Sequence, residues 1–218
     1  MAVKLSGPPA ILGEALALIA PHLPTGAPSV TGPFDGPNQP EPHPLPVLGC
    51  VTELPDLSVA ATRRLVEAVV AVAPDLHWRQ TYDGRNVSST FLDRYGWAEL
   101  VGPYGAFACD HARLGLLLLG RETLYPSHAH AAEELYLVLA GTADWQHGHG
   151  LWQPQAQGTN IHHTPHLPHA MRTAAEPLLA MYLWWGTDLT VHARMVAQQA
   201  TTPSTTVGLP SQALSRGR

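Results

Sequence analysis

Tyr125-Pro126-Ser127-His128-Ala129-His130-Ala131-Ala132-Glu133-Glu134-Leu135-Tyr136-Leu137-Val138-Leu139-Ala140-Gly141 decides the reading of this chain. Side chains alternate faces along a strand, so His128 and His130 share one face, and Glu134, Tyr136 and Val138 share one on the next run. Leu135, Leu137 and Leu139 take the other. Two imidazoles, a carboxylate and a phenol then point into one small barrel. Their burial is costly unless something satisfies them, and a divalent cation does so directly. Further along, Thr164-Pro165-His166-Leu167-Pro168-His169-Ala170 belongs to a strand that returns beside the first, and His169 is its natural third imidazole.

Beyond Gly102 the pattern is strand-like throughout. Leu114–Leu119, Glu134–Leu139, Thr142–Gln146, Thr159–His163 and Leu178–Trp185 are short apolar or alternating runs separated by Gly, Pro, Asn and His clusters. Before it the chain reads as helical. Pro9 suits a first helical position, with Ile11, Ala15 and Leu18 and Leu12, Leu16 and Ile19 at helical spacing up to Pro21 or Pro24. Residues 58–73 make the strongest helix, with Ser58 as N-cap and Ala61, Leu65, Ala68, Val69 and Val72 as its apolar stripe. A shorter helix is expected over Ser89–Leu100. The Pro-rich segment 24–46 can sustain neither a helix nor a central strand, and wraps either its own barrel or a neighbour's. The expected organisation is a helical region over 1–105, a β-barrel over 106–200 and a flexible tail over 201–218.

Composition narrows the function classes. The chain has 218 residues, 45% of them hydrophobic, enough for one or two compact domains. Its net charge of −5, from 12 Lys+Arg against 17 Asp+Glu, gives no basic surplus for a nucleic-acid partner. Against so few basic residues, 13 histidines are a marked bias, and eight lie between His128 and His169. Cys50 and Cys109 match neither a CxxC motif nor a disulfide framework and are expected to be inert. There is no run of about 18 uncharged apolar residues, so no membrane span is expected and the default address is the cytoplasm.

His128-x-His130-x3-Glu134-x6-Gly141 resembles the first motif of the cupin superfamily, and Pro168-His169 resembles the end of its second. More narrowly, Tyr125-Pro126-x-His128-x-His130-x3-Glu134-x-Tyr136, a preceding helical region and Trp184-Trp185 are similar to the cupin-type dimethylsulfoniopropionate (DMSP) lyases. The likeness covers residues 113–190. Two positions depart from the pattern: the glycine usually six residues before the first histidines is displaced to Gly120, and His166 stands where the second motif has glycine.

The resemblance implies a mainly β fold with N-terminal helices and a single cupin (double-stranded β-helix) barrel. It implies a carbon–sulfur lyase that splits DMSP, a small sulfonium carboxylate, into dimethyl sulfide and acrylate by base-initiated β-elimination. The cofactor would be a divalent cation, Zn, Fe, Mn, Co or Ni, held by His130, Glu134 and His169. His128 is either a fourth ligand or a substrate-binding residue lining the site. Tyr136 is the expected base, Tyr125 a catalytic or substrate-binding partner, and the aromatic faces of Tyr125 and Trp184 would hold the sulfonium. Of Trp184 and Trp185 only one can face inward, and parity with Leu178, Ala180 and Tyr182 favours Trp184. His147, His149, His162, His163 and His166 read as surface or rim residues, and Arg63 and Arg64 as a solvated helix face. A homodimer pairing through barrel strands is left open. The alternatives are another metal cupin, a dioxygenase or isomerase acting on a small carboxylate with DMSP cleavage as a side activity, and a non-catalytic sensor or storage cupin.

Overall fold

The computed structural model describes residues 8–28, 35–37 and 40–196. Strands of alternating or continuous apolar character build two facing sheets. The larger runs in the order Asp35–Pro37, Phe107–Ala108, Tyr95–Val101, Ala112–Leu119, Leu178–Trp185, Glu133–Ala140, Asn160–His163, with Trp78–Arg79 also on Tyr95–Val101. The smaller runs Arg194–Met195, Leu124–Ala129, His169–Arg172, Ala143–His147, Gln153–Gln155. Among the described residues, pairing is antiparallel apart from the contact of Val101 with Phe107 and the isolated bridge of His43 with His77.

Alternation splits the apolar residues into two cores. Leu135, Leu137, Leu139, Leu179, Met181 and Leu183 point outward and are covered by helices Pro8–Ile19 and Ala60–Val72. Tyr136, Val138, Leu178, Ala180 and Tyr182 point between the sheets. The second helix docks where Thr62 Oγ1 donates to Leu139 O at 2.7 Å, so the outer face of Glu133–Ala140 is closed to water.

Several expectations need correction. Ser58 is not the N-cap of the main helix: Val59 holds that position, and the Ser58 hydroxyl donates to Pro55 O at 2.6 Å. The helix expected over Ser89–Leu100 stops at Asp93, capped by Ser88 Oγ, which accepts from Phe91 N. Tyr95–Val101 is instead a fully buried strand of the larger sheet, because aromatic and β-branched residues fit a pleated surface covered on both sides. Strand structure therefore begins before residue 106. Arg64 does lie on a solvated helix face, as expected, and from there it pairs with Glu14 at 2.7 Å across the two helices. The described part of the Pro-rich segment lies on the chain's own sheet. Asp35–Pro37 edges it, and His43 exchanges backbone hydrogen bonds with Leu76 and Trp78. The tail over 201–218 lies outside the described residues.

Candidate functional site

Register brings the polar residues together. His128 pairs across from His169 in the smaller sheet, while His163 and Trp184 flank Glu134 and Tyr182 lies opposite Tyr136 in the larger one. Strict alternation would put Tyr125 and His128 on opposite faces. An irregularity in the pairing of Leu124–Ala129 with His169–Arg172 turns both inward, and their rings stack at 4.0 Å and 10°. The turn before His169 contains His166 in the left-handed region at φ 62°, the conformation for which glycine is favoured, and its N–H donates to His130 O.

The centre of the cluster is Glu134, fully buried, with Oε2 at 3.0 Å from His130 Nε2 and 3.3 Å from His169 Nε2. Among the described residues, His130, Glu134 and His169 are the one group of three whose ligand-type atoms all lie within 4.8 Å of one another. His128, His130 and His169 each bring Nδ1 to 2.9 Å from a backbone carbonyl two residues away, those of Pro126, Ala132 and Leu167. A carbonyl only accepts, so Nδ1 carries the proton and Nε2 keeps its lone pair for the centre. His169 Nε2 is buried and, despite its closeness to Glu134, forms no hydrogen bond. This donor set fits a divalent cation: two neutral imidazole nitrogens and a carboxylate converge on one point, with their outer nitrogens already anchored.

Electrostatics agree with that arrangement. Burial alone would push Glu134 up, yet the closeness of His130 above all, and then of His163 and His169, holds it well below the usual carboxylate range. Burial, with His169 nearby, pushes His128 well below the ordinary histidine value and lowers His163 to about 4, so both sit neutral beside the centre. Burial raises the phenols of Tyr125 and Tyr136 well above their usual value, and the Glu134 carboxylate raises Tyr136 further. In the protein alone, burial and the carboxylate thus both favour the protonated Tyr136 phenol.

A cavity of about 410 Å³, counted with its open mouth, reaches this cluster through His128 and Glu134, while His130 and His169 do not line it. Tyr95, Trp97, Tyr125, Tyr136, Tyr182 and Trp184 supply its aromatic lining, and Glu134 is its one acidic residue. Tyr125, His128, Glu134, Tyr136 and Trp184 reach it as expected, and Trp185 faces outward against His162. The Trp184 ring, however, already has partners. His130 stacks on it at 4.0 Å, the Arg113 guanidinium lies 4.9 Å from its centroid, and its Nε1 donates to Glu134 Oε1 at 2.5 Å.

The sequence reading missed several neighbours. His163, taken for a rim residue, is fully buried, stacks on His169 at 3.9 Å and places Nδ1 3.3 Å from Glu134 Oε2. Its parity with buried Ile161 was the available signal. Tyr95 and Tyr82 meet the Tyr125 hydroxyl at 3.3 and 3.2 Å, and Tyr95 was hidden by the helical reading of its segment. The ion pair Arg113–Glu99 beneath Trp184 had no local motif to announce it. His147, His149, His162 and His166 are exposed, as expected.

Against known proteins, the family model described as "Dimethlysulfonioproprionate lyase" matches residues 36–180, a span that holds His128, His130, Glu134, Tyr136 and His169. The chain belongs to the DMSP lyase family. It is 36% identical over 135 residues to the dimethylsulfoniopropionate lyase DddQ of Ruegeria pomeroyi, covering 61% of this chain and 66% of that protein. It is 30% identical over 130 residues to the putative dimethylsulfoniopropionate lyase DddL of Cereibacter sphaeroides, covering 59% and 53%. The chain therefore spans just under two thirds and about half of these two curated relatives. The crystal structure of DMSP lyase DddQ from Ruegeria pomeroyi superposes with a TM-score of 0.77 at 30% identity, over 86% of this chain and 95% of that one. One described with DMSP lyases RdDddP and RnDddQII gives 0.75 at 30%, over 88% and 100%. The single-barrel cupin fold expected for a DMSP lyase is the fold of this chain. No helix among the described residues is long and apolar enough to cross a membrane.

Proposed function

We propose that this protein is a metal-dependent lyase that cleaves DMSP to dimethyl sulfide and acrylate. One observation carries the reading: His130, Glu134 and His169 converge within 4.8 Å of one another, and Glu134 lines an aromatic cavity together with the Tyr136 phenol. A divalent cation bound there would supply a Lewis acid for the substrate carboxylate, stabilise the enediolate-like charge at the α-carbon, and favour the ionised form of Tyr136.

The residues of the chain do the rest. The Tyr136 oxygen takes the α-proton; the C–H electron pair becomes the carbon–carbon double bond, the C–S bond breaks, and sulfur leaves with its electrons as neutral dimethyl sulfide. The proton ends on Tyr136 and passes to solvent, and acrylate is the second product. The sulfonium meets no carboxylate other than Glu134, so the rings of Tyr95, Tyr125 and Tyr182 receive it by cation–π attraction of about 0.5 to 2 kcal/mol. Tyr125 is kept in place by Tyr82 and Tyr95 and by its stack on His128, which we assign to the wall of the site.

Proton NMR of metal-loaded protein with DMSP tests the reading. Vinyl signals of acrylate should grow in equal amounts with dimethyl sulfide. Formation of 3-hydroxypropionate in place of acrylate would indicate hydrolysis, and no turnover would favour a different carboxylate substrate.

A further inference from the structure

We propose that Trp184 is a positioning residue, an indole clamp that holds Glu134 in its metal-binding orientation, and not a wall for the substrate cation. The proposal rests on the metal-site reading above. Glu134 must turn one oxygen toward His130 and His169, and a buried carboxylate with an unanchored second oxygen could rotate out of that pose. Trp184 Nε1–H supplies the anchor, at 2.5 Å from Oε1, while Oε2 faces the imidazoles. Carboxylates that bind metals need such outer partners to fix their orientation.

The indole is itself fixed from both directions. His130, one of the metal-site imidazoles, stacks on it at 4.0 Å and 26°, so the ring sets the plane of that imidazole as well. Arg113 lies 4.9 Å from the ring centroid and is 3% exposed. A guanidinium placed against the indole is attracted by its π-face and leaves no room there for a second cation. Arg113 is held in turn by Glu99, through Nε to Oε2 at 2.5 Å, and by Leu189 O at 2.9 Å. Glu99 Oε1 also accepts from Tyr104 N at 2.7 Å. A continuous line of contacts thus runs from buried Glu99 and Arg113 through half-buried Trp184 to buried Glu134 and His130. A residue whose faces carry an arginine and a histidine and whose edge donates to a carboxylate is built to orient its neighbours.

Two measurements test the clamp. In wild-type protein loaded with zinc and labelled with 15N-tryptophan, the Trp184 indole N–H should be downfield and protected from solvent exchange; a fast-exchanging resonance at the free-indole position would overturn the proposal. In Trp184→Phe, which keeps an aromatic ring and removes the donor, zinc affinity measured by chelator competition should fall about 10- to 100-fold. At saturating zinc, the KM for DMSP should change far less than the zinc affinity. Zinc affinity within about two-fold of wild type, together with a raised KM, would overturn the clamp and return Trp184 to the sulfonium. If Trp184→Phe does not fold, the wild-type NMR result decides alone. Absence of DMSP cleavage by wild-type protein would sink the lyase reading, while the zinc titration would still judge the clamp.

Discussion

Replacing Arg113 by Met removes one charge from a pair that water does not reach. The Arg113 and Glu99 side chains are 3% and 0% exposed, and Nε lies 2.5 Å from Oε2. Met fills much of the aliphatic volume, so the loss is chiefly electrostatic. Breaking a buried pair from one side costs about 3 to 5 kcal/mol, because the remaining carboxylate is stranded. Losing the bond to Leu189 O adds about 1 kcal/mol. Burial already pushes Glu99 above the usual carboxylate value, with Arg113 and the Tyr104 N–H opposing it, so without the arginine the carboxyl rises further. A carboxyl raised in the folded state contributes stability that is present at low pH and lost as pH rises through its folded value. Urea unfolding of the metal-free protein should therefore show Arg113→Met about 4 to 6 kcal/mol less stable than wild type at pH 7, and markedly less penalised at pH 5. A loss below about 1 kcal/mol, or one that does not shrink on acidification, would refute the claim that this pair is dry and mutually dependent.

Other outcomes follow from the same geometry. Tyr136→Phe deletes one hydroxyl and keeps the ring, so kcat should drop by about 10² to 10⁴ while most of the metal is retained, checked by initial rates and elemental analysis. Glu134→Ala removes the residue common to the His130, His169 and Trp184 contacts, so stoichiometric metal should be lost; retention by elemental analysis would exclude it as a ligand. Gly115→Ala drives a methyl into the Ala98 carbonyl and the Tyr182 hydroxyl, so stability should fall by about 1 to 3 kcal/mol in thermal or urea unfolding. In the metal-free protein His163 stays neutral down to about 4, whereas the unfolded chain binds that proton near 6.5. Stability should then decline as pH falls from about 6.5 to 4, by at most about 3 kcal/mol from this residue, measured by urea midpoints.

The inward set was legible because its signal is local. Alternation along 134–139 separates Glu134, Tyr136 and Val138 from the three leucines, and the same parity sends Trp184 in and Trp185 out. What was not legible depends on partners distant in sequence. Tyr125 faces inward only because of a pairing irregularity with His169–Arg172. Helical spacing and strand alternation compete over 89–100, and the sheet edge offered by Ala112–Leu119 decides for a strand after Asp93. The surroundings of Trp184 were not legible for a similar reason: an aromatic on the inner face suits a cation, and nothing nearby in sequence reveals that Arg113 and His130 lie against its ring.

The most direct test of a cation-dependent DMSP lyase is to strip the purified protein with a chelator, restore Zn, Fe, Mn, Co or Ni singly, add DMSP and measure dimethyl sulfide in the headspace. Release should be negligible in the stripped protein, return with at least one of the metals, and stay absent for His169→Ala at matched protein concentration. Equal release by stripped and restored protein, or by His169→Ala, would contradict the account.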